Sequence, residues 1–154
     1  MSINSIKIEQ IVIAANCMEQ LLESGMTENL AIRHLEKLVD VYAKLKSTGK
    51  VSVDHVDEFP LWSKAALRAK RDNPDKKAGE YLRVEHGTPR RKFARLVLNA
   101  FKEGKLNKGW MDNHCTELWK VAVITREEDS KLNQIKKREF ETPEARWAYV
   151  GIEF

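Results

Sequence analysis

The first fifty residues constrain the fold most strongly, because they contain two long stretches with apolar residues at helical spacing. Residues 5–24 and residues 28–47 each carry a continuous apolar stripe, and Gly25 ends the first stretch. Because the turn between them is short, the two helices are expected to pack as an antiparallel hairpin. Each helix would bury its stripe, which is typical of a structural scaffold or of a dimer surface.

The rest of the chain alternates strand patterns with helical ones. Residues 80–86 and 119–125 predict β-strands, because both runs are short and contain β-branched or aromatic residues. Helix-start signals predict helices over residues 60–71, 89–103 and 126–136, after Asn107 and after Thr142. The predicted fold is therefore α+β and mostly helical, with an N-terminal helical hairpin and a small sheet of two or three strands.

Length and composition favour a single domain over residues 1–154, made of the hairpin at 1–49 and a basic α+β part at 50–154. No apolar run approaches the roughly 20 residues of a membrane span. The N-terminus has no basic leader, and the two cysteines lack the CxxC spacing of a zinc site. These features predict a cytoplasmic protein that does not act at a membrane.

The positive charge is concentrated in the middle of the chain. The whole chain has a net charge of +4, whereas residues 61–110 carry 14 basic and 5 acidic side chains, a net charge of +9. A localised excess of this kind attracts polyanions, which predicts binding of DNA or RNA. The predicted contact residues are Lys64, Arg68, Lys70, Arg71, Arg90, Arg91, Lys92 and Arg95.

A short pattern at the end of the first predicted strand, Glu85-His86-x-x-Pro89, has an acidic residue and a histidine before a proline. It resembles the first half of the HNH, or ββα-metal, nuclease motif. The resemblance implies that His86 is a catalytic base that activates water for attack on a phosphodiester, beside a divalent metal ion such as Mg²⁺ or Zn²⁺. It covers these few residues only, and the alternative is a plain connection between a strand and a helix.

Candidate ligands for such a metal ion lie later in the chain. The second half of the nuclease motif needs an asparagine and a further histidine or asparagine on a short helix, and Asn107, Asn113 and His114 could provide them. Glu127 and Glu128 are further candidates, because hard cations prefer clustered oxygen ligands. Alternatively, these two acids complement the dipole at a helix start.

The pairing of the two predicted strands decides whether His86 approaches these acids. Parallel strands would place His86 beside residues 125–129, whereas antiparallel strands would place it near Lys120 and leave the acids at the far end. Both arrangements are compatible with the sequence.

Two classes of function fit these features. The first is a nucleic-acid-binding protein. The most specific version of this hypothesis is a small metal-dependent endonuclease. The second is a non-enzymatic interaction or inhibitor protein of a mobile element, or of an antiviral defence or counter-defence system. Such a protein would dock an acidic protein partner through the same basic face. A DNA-binding regulator is a weaker third hypothesis, because no helix-turn-helix spacing is present.

Overall fold

The computed structural model describes residues 6–51 and 55–154. The fold is α+β and mostly helical, as predicted from the sequence. In chain order its elements are α1 (Ile8–Glu23), α2 (Glu28–Thr48), a 3₁₀ turn (Val56–Glu58), α3 (Lys64–Asp72), α4 (Ala78–Tyr81), β1 (Leu82–His86), α5 (Arg90–Lys102), α6 (Lys108–Glu117), β2 (Val121–Thr125), α7 (Arg126–Gln134) and α8 (Pro143–Tyr149).

The described residues form two compact units, of which the first is a helical unit made of residues 6–51 and 88–119. The predicted hairpin is present as α1 and α2, and both helices pack against α5. Gly49 ends α2 in the left-handed conformation (φ 73°), which glycine adopts without steric strain. The core of this unit includes residues of the predicted apolar stripes: Ile11, Met18, Ile32, Leu35, Val39, Phe93 and Val97.

The second unit, residues 55–87 and 120–154, is a mixed unit built on a two-stranded sheet. Strands β1 and β2 pair antiparallel, so that Leu82 lies opposite Thr125 and His86 lies opposite Val121. One face of β2 packs into a core with α7, α8 and the end of the chain. This core contains Ala122, Ile124, Leu132, Trp147 and Ile152.

The division into units differs from the predicted subdivision. Residues 88–119 were assigned to the basic part of the chain, but α5 and α6 belong to the helical unit with the hairpin. The contacts that place α5 there are long-range, because its apolar face is buried against α1 and α2, which end more than forty residues before α5 begins. The predicted domain organisation stays a prediction.

Several predicted element boundaries differ by a few residues, and two of the differences have a clear structural cause. The helix expected from Pro60 begins at Lys64, where the Ser63 hydroxyl accepts a hydrogen bond from Ala66 N (3.0 Å). The preceding segment instead runs beside β2, where Val123 N donates to Leu61 O (2.9 Å). The strand expected over 80–86 begins at Leu82, because the residues before it form the short helix α4. No helix in the described ranges is both long enough and apolar enough to cross a membrane.

Candidate nucleic-acid interface

The end of strand β1 carries the residues that resemble the nuclease motif. Its antiparallel register places His86 opposite Val121, and Gly87 N donates a hydrogen bond to Lys120 O (2.7 Å). Thr125, which precedes the predicted acidic ligands, lies opposite Leu82 at the other end of the strand pair. The parallel alternative is therefore wrong, and the strand ends do not bring His86 beside Thr125.

Glu85 forms an ion pair with Arg146 of α8. Both side chains are largely buried, with exposed fractions of 14% and 13%. Arg146 also donates to the main-chain oxygens of His86 and Gly87, at 3.4 Å each. Burial raises the pKa of the Glu85 carboxyl, and the Arg146 guanidinium opposes that rise. Glu85 therefore joins the strand end to α8.

Gly87 is required at this position by packing. A Cβ atom added to Gly87 would overlap Pro143 and would lie 2.8 Å from Cζ2 of Trp147. Both neighbours are buried in the mixed unit, so neither can move away freely. Packing and ion pairing thus account for Glu85 and Gly87, while His86 is half-buried between them. The catalytic role of His86 stays a prediction.

The predicted metal ligands on α6 belong to the helical unit, whereas His86 belongs to the mixed unit. The Asn107 side chain caps α6 by accepting a hydrogen bond from Trp110 N (2.9 Å), as its position predicted. The His114 ring stacks on Trp110 with 3.8 Å between centroids, and His114 Nδ1 lies 2.9 Å from Trp110 O. Asn113, between them in sequence, is exposed.

The predicted ligands at the start of α7 have structural contacts. Glu128 and Thr125 form the predicted capping box, and the Ser63 hydroxyl donates to the Glu128 carboxylate (2.7 Å). Glu127 pairs with Lys131 one turn later (3.4 Å). Within the described residues, no group of three or more His, Cys, Asp or Glu side chains is arranged to hold a metal ion. The metal site stays a prediction.

The predicted basic contact residues divide between the two units. Four of them lie on α5, in the helical unit. Acidic side chains of α2 pair with the three arginines, and Lys92 is half-buried on the same helix. Arg91 also donates to the Asn29 side chain (2.9 Å). The ion pairs are Arg90–Asp40 (3.9 Å), Arg91–Glu36 (3.6 Å) and Arg95–Glu28 (2.6 Å).

The remaining predicted residues lie in the mixed unit, on α3 and the turn that follows it. We call this the α3 basic surface; its members are Lys64, Arg68, Lys70, Arg71, Lys76 and Lys77. Lys64 pairs with Glu153 (3.1 Å), and Lys70 pairs with Asp57. Among the residues that the structure describes, Arg68, Lys76 and Lys77 make no ion pair, so their charges face solvent without an acidic partner.

A groove of about 570 Å³ lies beside the α3 basic surface. Lys70, Arg71 and Lys76 contribute cations to its wall, and Tyr81 contributes an aromatic ring. Tyr81 is a site residue that the sequence did not predict, because the run around it has the pattern of a strand, whereas Tyr81 ends helix α4. The sequence feature that could have indicated it is an aromatic residue only four positions after the basic run that ends at Lys77.

Comparison with known proteins gives no match: no protein-family description, no curated protein and no solved structure resembles this chain significantly.

Proposed function

We propose that this protein binds a nucleic acid through the α3 basic surface. The observation that carries the proposal is the density of cations there: six lie within fourteen residues, against two acids in the same stretch. Three of the six have no ion-pair partner in the described structure, and three line a groove. Exposed Lys and Arg side chains in such a cluster bind phosphate oxygens and release condensed counterions.

The arginines of α5 make a weaker case for the same function. Each has an acid of α2 within 4 Å, so a phosphate would have to compete with a carboxylate for it. The pairs of Arg91 and Arg95 lie at the surface, where an ion pair contributes only about 0–1 kcal/mol to stability, so competition is feasible there. The adjacent acids nevertheless lower the local positive potential. The predicted role of Arg90, Arg91, Lys92 and Arg95 therefore stays a separate hypothesis.

Two matched triple variants test which basic set binds. The first carries Arg68→Gln, Lys76→Gln and Lys77→Gln, and the second carries Arg90→Gln, Arg91→Gln and Arg95→Gln. Each lowers the net charge from +4 to +1, so the effect of total charge is the same in both. The residues of the first set make no ion pair within the described structure, so their loss removes no internal contact of that kind.

The affinity of each variant for labelled DNA and RNA can be measured by fluorescence anisotropy over a range of salt concentrations. We expect the first triple to lose at least tenfold in affinity and to show a shallower dependence on salt. Each lost phosphate contact reduces the slope by about 0.9 on duplex DNA and about 0.7 on a single strand. The second triple should change affinity by less. Absence of binding at low salt by the unaltered protein would refute the proposal, as would an equal loss in both triples.

An acidic protein partner is the competing interpretation of the same surface. Binding to nucleic acid that is undetectable at low salt, together with salt-sensitive capture of an acidic protein, would support it over our proposal. This outcome would fit the hypothesis of an interaction or inhibitor protein.

The endonuclease hypothesis rests on the sequence resemblance at His86 and needs its own test. If His86 is a general base, then His86→Ala should abolish cleavage of DNA or RNA while leaving binding intact, because only the chemical step is affected. Cleavage should also require a divalent cation such as Mg²⁺ or Zn²⁺. Absence of cleavage with any divalent cation, or full activity of His86→Ala, would refute the nuclease hypothesis.

A further inference from the structure

The groove beside the α3 basic surface combines two kinds of wall. Its apolar part is formed by Val56, Leu67, Pro74, Ala78, Tyr81 and Leu82. The Tyr81 hydroxyl lies 3.5 Å from the main-chain oxygen of Asn73, so the ring lies beside the turn that follows α3. Leu67 is 54% exposed, so about half of its apolar side chain faces the solvent at this groove. The groove therefore offers apolar and aromatic surface that no residue of the described structure covers.

The polar part of the groove is cationic. Lys70, Arg71 and Lys76 line it, and Asp57 is the acid that also lines it. Lys70 pairs with that acid, and its Nζ lies 5.1 Å from the centroid of the Trp62 ring, so the ammonium group is held in place. Arg71 Nε lies 3.6 Å from the exposed carboxylate of Asp72, next to it in sequence. The cations thus outnumber the lining acid, which gives the groove a positive rim.

Resting on the proposed function, we infer that the groove binds a single-stranded segment of nucleic acid and discriminates against duplex. Its rim matches phosphates, and its apolar part with Tyr81 matches the flat face of an unpaired base. A duplex presents phosphates to the rim but keeps its base faces stacked inside the helix, so it cannot cover the apolar part. A volume of about 570 Å³ lies within the roughly 300–1,000 Å³ of pockets that enclose small ligands.

The inference can be tested on the unaltered protein with three labelled probes of equal length. These are a single strand, a duplex of the same sequence and a single strand whose sugars carry no bases. The strand without bases keeps every phosphate and loses every stacking surface. We expect the intact single strand to bind about tenfold more tightly than either of the other two, because stacking of even one base on an aromatic ring adds affinity of about this size.

Variants of Tyr81 test whether the preference for a single strand arises in this groove. Tyr81→Ala should weaken binding of the single strand about tenfold while leaving the affinity for the strand without bases unchanged. Tyr81→Phe keeps the ring and should bind like the unaltered protein. Thermal unfolding of both variants checks that the fold is retained, and the comparison of probes on the unaltered protein does not depend on either variant.

The outcomes separate this inference from the proposed function. Equal affinity for all three probes would refute the single-strand inference but leave nucleic-acid binding through the α3 basic surface intact. The same holds if the duplex binds most tightly. Failure of all three probes to bind at low salt would refute both. Tighter binding of the intact single strand that Tyr81→Ala does not change would refute the placement of bases in this groove.

Discussion

The guanidinium of Arg146 contacts the Glu85 carboxylate one residue before His86, and it also donates to the main-chain oxygens of His86 and Gly87. Arg146 lies on α8, some sixty residues later in the chain. The position of the strand end therefore depends on one largely buried cation. Removing one partner of such a pair leaves the other charge buried and uncompensated.

Arg146→Met should lower the free energy of unfolding by about 3 kcal/mol at neutral pH, since a largely buried carboxylate loses its partner. Burial already raises the pKa of Glu85, and loss of Arg146 would raise it further. A folded state with a raised carboxyl pKa gains stability as pH falls through that pKa. The deficit of Arg146→Met should therefore shrink on acidification, as measured by urea unfolding at several pH values.

The double variant Glu85→Gln/Arg146→Met is the control, because it has no buried charge at this position. Its deficit should be smaller at neutral pH and should not shrink on acidification, because it has no carboxyl to protonate at this position. A deficit of Arg146→Met that stays constant from neutral to acidic pH would show that the lost contribution is packing rather than charge.

Gly87→Ala should lower the free energy of unfolding by about 2 kcal/mol, because the new methyl group would overlap Pro143 and Trp147 in a packed interior. Gly79→Ala is the matched control. A Cβ atom at Gly79 would have no neighbour within 4 Å, and Gly79 lies inside helix α4, where alanine is favoured over glycine. Thermal unfolding should therefore separate the two variants clearly, and equal melting temperatures would contradict the packing argument.

The sequence predicted those features that depend on neighbouring residues. The Thr125–Glu128 capping box, the Asn107 cap and the glycine at the end of α2 each involve residues within one helical turn, so local spacing is sufficient to identify them. The apolar stripes of α1 and α2 could also be identified from the sequence, because burial of one helix face gives the apolar residues a period of 3.6.

The contacts of the candidate sites could not be predicted in the same way, because they join distant parts of the chain. Arg95 meets Glu28 only because α5 packs on α2, and Glu85 meets Arg146 only because α8 folds back onto β1. Counting charges along residues 61–110 therefore overstated the free positive charge of α5. The choice between parallel and antiparallel strands was open for the same reason, since a connection of this length permits both.

Charge reversal on α5 should destabilise the helical unit. Arg91→Glu/Arg95→Glu would place new carboxylates beside Glu36 and Glu28, where guanidinium groups now lie within 4 Å. We expect a loss of about 1–2 kcal/mol, since attraction is replaced by repulsion at two exposed pairs. The loss should decrease in high salt, which screens surface charges. Arg91→Gln/Arg95→Gln should lose less, and an unchanged stability of the reversed variant would mean that these pairs do not persist in solution.

Lowering the pH should decrease the stability of the helical unit, because Asp112 becomes protonated. Its carboxylate accepts hydrogen bonds from Lys108 Nζ (2.6 Å) and from the Tyr42 hydroxyl (2.7 Å), and Lys46 Nζ lies 3.2 Å away. These contacts lower the pKa of Asp112 from its ordinary value of 3.8 to about 2, with the Lys108 hydrogen bond as the largest cause. A lowered carboxyl pKa contributes stability that is present above the ordinary value and is lost as pH falls toward the folded value.

Asp112→Asn isolates this contribution, because an asparagine keeps an oxygen that can accept the Tyr42 hydrogen bond but has no charge to titrate. The variant should be less stable than the unaltered protein at pH 5. The difference in unfolding free energy between the two should then narrow as pH falls from about 4 toward 2. Urea unfolding at pH 5, 4, 3 and 2.5 measures this difference directly. A difference that is constant over the whole range would mean that Asp112 titrates normally and that its contacts with Lys108 and Tyr42 contribute nothing to its charge state.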